Sequence, residues 1–275
     1  MENSIREEIR RFALESPANL RRDGEGRFFD EPLVGFAAAD DPLFASYKEI
    51  IGPFHLTPQE LMANAFGGAE GRAATVVCWL LPIVRETRES NRRERQWPSR
   101  QWAETRSSGE AFNVALRRHL VDWLAGRGQR ALAPQLAAEW HQFDETPVGI
   151  ASNWSERHAA YAAGLGTFSL NDALISERGI AHRIGSIITE LELPATPRPY
   201  SGRASNCLYY RQGGCGVCIG RCPTGAISWD GHDKEKCRAY VYEAAPKEVG
   251  IRYGVSATGC GLCQTVVPCE AVTPK

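Results

Sequence analysis

The 275-residue sequence predicts an α/β domain over residues 1–195 followed by a small cysteine-rich domain over residues 196–275. Three observations carry that division. Apolar residues recur with helical and then strand periodicity, in alternation, as far as about residue 195. The stretch from Leu193 to Ser205 is rich in Pro, Ser and Gly and reads as a hinge. Eight of the nine cysteines lie after position 206, most of them in close spacings.

The elements of the larger domain follow in order. Ile5, Ile9 and Phe12 share a face, so residues 4–15 form an amphipathic helix with a cap near Ser4. The segments Phe36–Ala39 and Leu43–Ile51 are separated by a turn at Asp41-Pro42. Thr57-Pro58 opens a further helix, with Pro in the first turn and Glu60 placed for a capping box. The β-branched run over residues 74–84 is a buried central strand, in which Cys78 acts as a small hydrophobe. Residues Arg85–Ser107 are rich in Arg and Glu and read as a solvated loop or frayed helix. Their length suits a lid carrying Trp97 and Trp102. Phe112, Leu116, Leu120 and Trp123 form the stripe of a long helix that stops at Gly126. A helix from Ser155 to Gly164 and a strand from Arg183 to Leu193 complete the domain.

Composition bounds the function. With 43% apolar and 24% charged residues the chain has enough apolar side chain for a sizeable core. No apolar run reaches 18 residues and the N-terminus is charged, so the sequence predicts a cytoplasmic protein without a membrane segment. The net charge of -1 lacks the basic excess of proteins that grip nucleic acid through phosphates. This disfavours nucleic acid and a large RNA substrate, leaving open a local basic patch.

The cysteine spacing points to iron-sulfur chemistry. Cys215, Cys218 and Cys222-Pro223 lie in close succession, and Cys260, Cys263 and Cys269 repeat the theme about forty residues later. In two-cluster ferredoxins the cysteine before the proline crosses to the second cluster, because a short loop cannot wrap all corners of one cube. On that pattern Cys207, Cys215, Cys218 and Cys269 hold one 4Fe-4S cluster, and Cys222, Cys237, Cys260 and Cys263 hold the other. A pair of zinc sites is the alternative for such spacing. The Cys222–Ile227 ending favours two 4Fe-4S clusters in a ferredoxin-like domain, because a zinc ribbon needs no proline-redirected cysteine shared across two sites.

With those motifs in view, the chain resembles epoxyqueuosine reductases and, more distantly, the catalytic domains of reductive dehalogenases. The resemblance is carried by Ser155-Glu156-Arg157-His158-Ala159, by Gly164-Leu165-Gly166 running to Asn171 and Ile175, by Gly185–Leu193, by the segment Cys222–Ile227 and by Asp233–Glu243. It implies a nitroreductase-like α/β domain followed by a small two-cluster ferredoxin-like domain, with cobalamin as a further cofactor. Leu170 stands where the family has Lys, Ser169 where it has Gly, and an insertion separates Pro147 from Glu156.

The implied function is a cobalamin-dependent iron-sulfur reductase that carries out reductive cleavage or deoxygenation of a small molecule. Electrons come from an external donor such as ferredoxin or flavodoxin, through the two clusters, to the corrinoid. Gly164, Leu165, Gly166, Asn171, Gly185 and Ser186 are the expected corrinoid-binding residues. Asp144, three residues ahead of Pro147, occupies the place of the family's proton donor, with Tyr161 and His182 as alternative donors. Two other readings keep the clusters: an electron-delivery or reactivating protein for a separate corrinoid protein, and an iron-sulfur flavoprotein reductase that binds flavin.

Overall fold

The computed structural model describes residues 1–22, 24–68 and 71–275. The chain begins with α1 (Glu2–Glu15), β1 (Leu33–Ala38), α2 (Pro42–Ile50), α3 (Pro58–Phe66) and β2 (Thr75–Pro82). Next come α4 (Arg85–Arg92), α5 (Arg100–Ala125), β3 (Ala131–Leu132), β4 (Gln142–Phe143), β5 (Ala151–Ser152) and α6 (Glu156–Ala162). Then follow β6 (Thr167–Phe168), β7 (Leu174–Ile175) and β8 (His182–Thr189). The cysteine-rich part holds α7 (Leu208–Gln212), α8 (Val217–Arg221), β9 (Ile227–Ser228), β10 (Gly231–His232), α9 (Lys234–Ala239) and α10 (Ile251–Tyr253). The architecture is mixed α/β, and among the described residues no helix is long and apolar enough to cross a membrane.

The principal sheet has the order β1-β2-β8-β3, and each neighbouring pair is antiparallel. Strand β2 is buried at all eight positions because both faces are covered. Val77, Trp79 and Leu81 pack with α1 and α5, while Val76 and Cys78 face α2, α3 and α6. Burying side chains of this size stabilises by about 1.5–3 kcal/mol each. Cys78 is wholly buried, as the apolar run predicts. Helix α3 begins with a capping box: Thr57 and Glu60 each accept a backbone hydrogen bond from the other.

Residues 85–107 take the helical of the two forms expected of them, and no long loop. They form α4 and the first two turns of α5, so the loop proper is residues 93–99. Ser99 caps α5 by accepting from the Trp102 amide, and Asn91 accepts from the Ser99 amide. Trp102 is buried and packs in the core, so it is no lid residue; Trp97 stacks on Tyr240 at 5.1 Å. The Arg/Glu content of the segment is that of an exposed helix face, which periodicity over so polar a stretch does not reveal.

The proline-rich stretch after β8 lies against the larger part of the chain. Thr196 and Phe36 exchange two hydrogen bonds, the Tyr200 hydroxyl donates to the Tyr161 carbonyl, and Arg198 pairs with Asp41 at 2.5 Å.

Two histidines at the start of α6, His55 against its cap Ser155 and His158 in its first turn, make the fold acid-sensitive. The His55 ring accepts from the Ser155 amide at 3.2 Å, leaving its other nitrogen buried without a partner. The His158 ring meets the Ser155 hydroxyl at 2.8 Å between Tyr47 and Phe168. Burial holds the pKa of His55 down to about 4 and that of His158 to about 3. Unfolded, both take protons below their ordinary value of about 6.5, whereas the folded chain refuses them. Stability is therefore lost as pH falls below 6.5, at about 1.4 kcal/mol per pH unit for each ring. Between pH 7.5 and 5.5 the pair is expected to cost about 3 kcal/mol in denaturant unfolding. His55→Gln should remove about half of that dependence; an unchanged pH slope in the variant would place the titrating group elsewhere.

Candidate functional site

Eight cysteines line two separate cavities, four in each. Cys207, Cys215, Cys218 and Cys269 line a small, mostly apolar cavity with about 360 Å³ of free space, part of it solvent. Cys222, Cys237, Cys260 and Cys263 line a second, larger one with about 960 Å³ of free space, part of it solvent. The division arises at α8. Cys218 faces the first cavity, while Cys222 ends the helix and Pro223, which has no amide hydrogen, turns the chain to the second. Among the described residues no three His, Cys, Asp or Glu side chains meet closely enough to hold a single metal ion. The sulfurs instead line cavity walls, as a cubane with four outward-facing iron corners requires.

Burial governs the thiols. Together with the neighbouring thiols it pushes Cys218 up to about 11, and it pushes Cys260 and Cys269 up to about 12. Cys263 is raised further by the same cause. Cys222 goes the other way. Burial opposes its ionisation, but hydrogen bonds from the Thr224 hydroxyl, 3.5 Å away, and from the amides of Thr224, Ala226 and Ile227 bring it below the usual thiol value.

Several residues that the spacing does not single out shape these cavities. Leu170, at the position where the resemblance has Lys, is buried and lines the Cys207 cavity. Asn171 lies between the cavities and lines both. Its amide donates to the Cys263 carbonyl at 3.1 Å and its oxygen accepts from the Ala173 amide. It pins the two quartets together instead of presenting its amide to a third ligand. Buried Glu270, next to Cys269, pairs with Arg92 at 2.9 Å and accepts from the Val266 amide.

The expected corrinoid residues separate in space. Gly164, Leu165 and Gly166 line a third cavity, of about 1210 Å³ free space, with Arg6, Arg10, Thr196, Tyr200, Asn206 and Thr273 among its other walls. The two glycines are required by the chain itself. A Cβ on Gly164 would come within 2.7 Å of the Pro197 carbonyl, and one on Gly166 within 2.4 Å of the Ile175 carbonyl. Gly185 and Ser186 lie in the sheet core. A Cβ on Gly185 would strike the Trp79 indole at 2.4 Å, and the fully buried Ser186 hydroxyl accepts from the Trp154 indole at 3.0 Å. The structure does not bring them to the Gly164 cavity. The residue types are those of a polar loop and the strand it precedes, and strand burial reads the same whether a ligand or a helix covers it.

The three candidate proton donors are also apart. Asp144 lies on the exposed loop between β4 and β5, its side chain 55% exposed and ion-paired with Arg238 at 3.1 Å. Tyr161 packs its ring on Phe168 and Tyr200. His182 lines the Cys222 cavity. One ring nitrogen meets the Leu174 carbonyl at 2.9 Å, the other is buried without a partner, and burial lowers its pKa to about 4.

No family model matches the chain. It is similar in sequence to the epoxyqueuosine reductase of Bacillus cereus, 34% identical over 119 residues, which are 42% of this chain and 29% of that protein. The match thus spans less than a third of the relative's length. Among solved structures it superposes on a selenomethionine-labelled epoxyqueuosine reductase with a TM-score of 0.54 and 19% identity, covering 99% of this chain and 70% of that one. An epoxyqueuosine reductase with an epoxyqueuosine-modified tRNA-Tyr stem loop gives a TM-score of 0.53 at 18% identity, covering 98% and 66%. A reductive dehalogenase, from a study of B12-dependent dehalogenation, gives 0.51 at 17%, covering 88% and 30%. The chain therefore shares the fold of both groups and resembles epoxyqueuosine reductases in sequence.

The tRNA-bound relative overturns one expectation. A near-neutral chain was expected to take a small molecule and to leave nucleic acid aside, yet a protein of this fold is seen with a tRNA stem loop. Net charge averages over the whole surface and hides local excess. Between residues 85 and 100 the sequence carries six arginines against three glutamates, and Arg92, Arg93, Arg95 and Arg100 are exposed there.

Proposed function

We propose that the chain is a cobalamin- and iron-sulfur-dependent reductase of the epoxyqueuosine reductase kind, acting on a modified nucleoside carried in RNA. The observation that carries this reading is the sorting of eight cysteines into two cavities of four. The Cys207 and Cys222 quartets would each hold one 4Fe-4S cluster. The Gly164 cavity would hold the corrinoid at an open cleft: Thr196, Tyr200 and Asn206 on its rim suit the amide groups around a corrin ring, and Glu7, Glu31 and Glu177 also line it. Asn206 precedes Cys207 and Thr273 follows Cys269 by four residues, so that cavity adjoins the Cys207 quartet. When bound, these groups would supply electrons and a reducing centre for carbon-oxygen cleavage. The chain itself contributes enclosure, orientation and a proton.

The RNA would lie over the arginines of residues 85–100. They reach the side of the Cys207 quartet, because Arg88 and Arg92 pair with Glu270, which follows Cys269. Arginine suits phosphate, which its planar fork binds through two hydrogen bonds. In the structure Asp144 stands outside all three cavities, so its loop would swing inward to deliver a proton.

Anaerobic reconstitution is expected to give about eight iron and eight sulfide per chain, as two cubanes require. Cys78→Ala should leave both values unchanged, since that thiol is buried in β2. About two zinc with no sulfide would end the reading. Cobalamin added to the loaded protein is expected to shift to its base-off spectrum, and flavin binding in its place would favour the flavoprotein alternative. An epoxyqueuosine-containing RNA stem loop, incubated with reductant and followed by mass spectrometry, tests the substrate.

A further inference from the structure

The two cysteine cavities differ in the charge that faces them. Arg221 adjoins Cys222 in sequence and acts on the Cys260 and Cys263 thiols. Its guanidinium donates to the carbonyls of Asn91, Glu94, Leu262 and Thr265 and to the Thr265 hydroxyl, all neutral acceptors. Arg106 lines the same cavity. Among the described residues it forms no ion pair, and its strongest charged neighbour is another cation, Arg183. Arg183 shares Glu110 with Arg117, which also pairs with Glu156, so three guanidinium groups, Arg106 included, face two carboxylates.

Hydrogen bonds add to the asymmetry. His232 is anchored to the Asp172 carboxylate at 3.0 Å and lies within hydrogen-bonding reach of the Cys237 thiol. Asp172 reaches it from the larger part of the chain, from a left-handed backbone conformation with φ of 61°. The Cys222 sulfur meets the Thr224 hydroxyl and three backbone amides, against two amides at Cys218 and one at Cys269 in the other quartet. The Cys207 cavity is poorer in such groups: Leu170, Ile180, Val267 and Pro274 stand among its walls and no Arg, Lys or His side chain lines it, Arg211 lying behind Pro274, whose carbonyl it meets at 3.3 Å.

One-electron reduction of a cluster adds one unit of negative charge. Nearby cations in excess of carboxylates and donors aimed at sulfur stabilise that charge, whereas an apolar wall opposes it. We propose that the Cys222 quartet holds the cluster of higher reduction potential and the Cys207 quartet the cluster of lower potential. The first electron taken up by the protein then rests at the Cys222 quartet. The lower-potential cluster fills only afterwards, and it is the one that adjoins the Gly164 cavity, where the most demanding reduction would take place. This inference rests on the cluster reading above.

The test is a dithionite titration of the iron-loaded full chain followed by electron paramagnetic resonance. Two one-electron couples are expected, at least tenfold apart in equilibrium constant, or about 59 mV. Cys218→Ala should remove the lower couple and Cys263→Ala the upper. Arg106→Gln should weaken reduction of the upper couple by about tenfold and leave the lower in place. Should that variant fail to load iron, His232→Gln is the second probe, with the same direction expected. Leu170→Lys, which places an ammonium on the Cys207 cavity, should raise the lower couple alone. Coincident couples in the wild type, or loss of the upper couple on Cys218→Ala, would overturn the proposal while leaving the clusters intact. Wild-type protein that takes up no iron and sulfide would instead sink the cluster reading on which the proposal stands.

Discussion

Asp144→Asn is expected to slow reduction of an epoxyqueuosine-containing RNA stem loop by roughly a hundred- to ten-thousandfold, the range for loss of a general acid. Asparagine keeps the size and much of the hydrogen-bonding capacity of the side chain but has no proton to give. Iron content, cobalamin binding and melting temperature should stay unchanged, because the residue is exposed and its one ion partner is Arg238. Such a surface pair is worth about 0–1 kcal/mol, so releasing the loop toward a cavity costs little. The loop is anchored at its base by β4 and β5, and Lys234 donates to the Val148 carbonyl at 2.7 Å. Arg238→Gln removes the ion pair alone and should leave turnover within severalfold of the wild type. His182 is the weaker candidate on physical grounds. Burial keeps it neutral near pH 7, and the proton it then carries is directed to the Leu174 carbonyl if it sits on the nitrogen facing that oxygen. Normal turnover in Asp144→Asn together with an inactive His182→Gln or Tyr161→Phe would reassign the donor and spare the cofactors.

The parts of this molecule that were legible in the sequence are those set by neighbours in the chain. The capping box at Thr57, the buried β2 run and the turn at Cys222-Pro223 each depend on residues within a few positions of one another. The cysteine quartets join residues up to 62 positions apart, as from Cys207 to Cys269, but the spacing pattern stands in for that distance. The pairs that set the surroundings of the cavities have no such local signal. Asp172 with His232, Arg92 with Glu270 and Asn171 with the Cys263 carbonyl meet only in the folded chain. Arg221 was the exception within reach, since a lone arginine beside a ligand cysteine is visible in the sequence. Net charge is a poor guide to partners for a related reason: a protein of this fold is seen with a tRNA stem loop, and a total of -1 says nothing about six arginines gathered in sixteen residues.

Arg117→Met should destabilise the iron-loaded protein by about 3–5 kcal/mol in denaturant unfolding, the cost of removing one member of a buried ion network. Arg117 is 1% exposed and bridges Glu110 and Glu156, both at 3.1 Å, while also donating to the Ile184 carbonyl. It joins α5 to α6 and β8, the elements that lead to the Gly164 cavity and to Arg183 at the Cys222 cavity. Glu156 is the member left most exposed to the loss. Burial already raises its pKa above the ordinary carboxyl value, and Arg117 is the main group holding it down. A carboxyl whose folded pKa is raised weakens the fold above its unfolded pKa, and the penalty disappears as pH falls and both states become protonated. The deficit of Arg117→Met should therefore shrink as pH is lowered from 8 toward 5. Adding Glu156→Gln, which removes the stranded charge, should recover a large part of the loss at pH 8 and flatten that dependence. A deficit that is the same at both pH values, and unrelieved by Glu156→Gln, would show that Arg117 acts through packing of its side chain and not through the charge it neutralises.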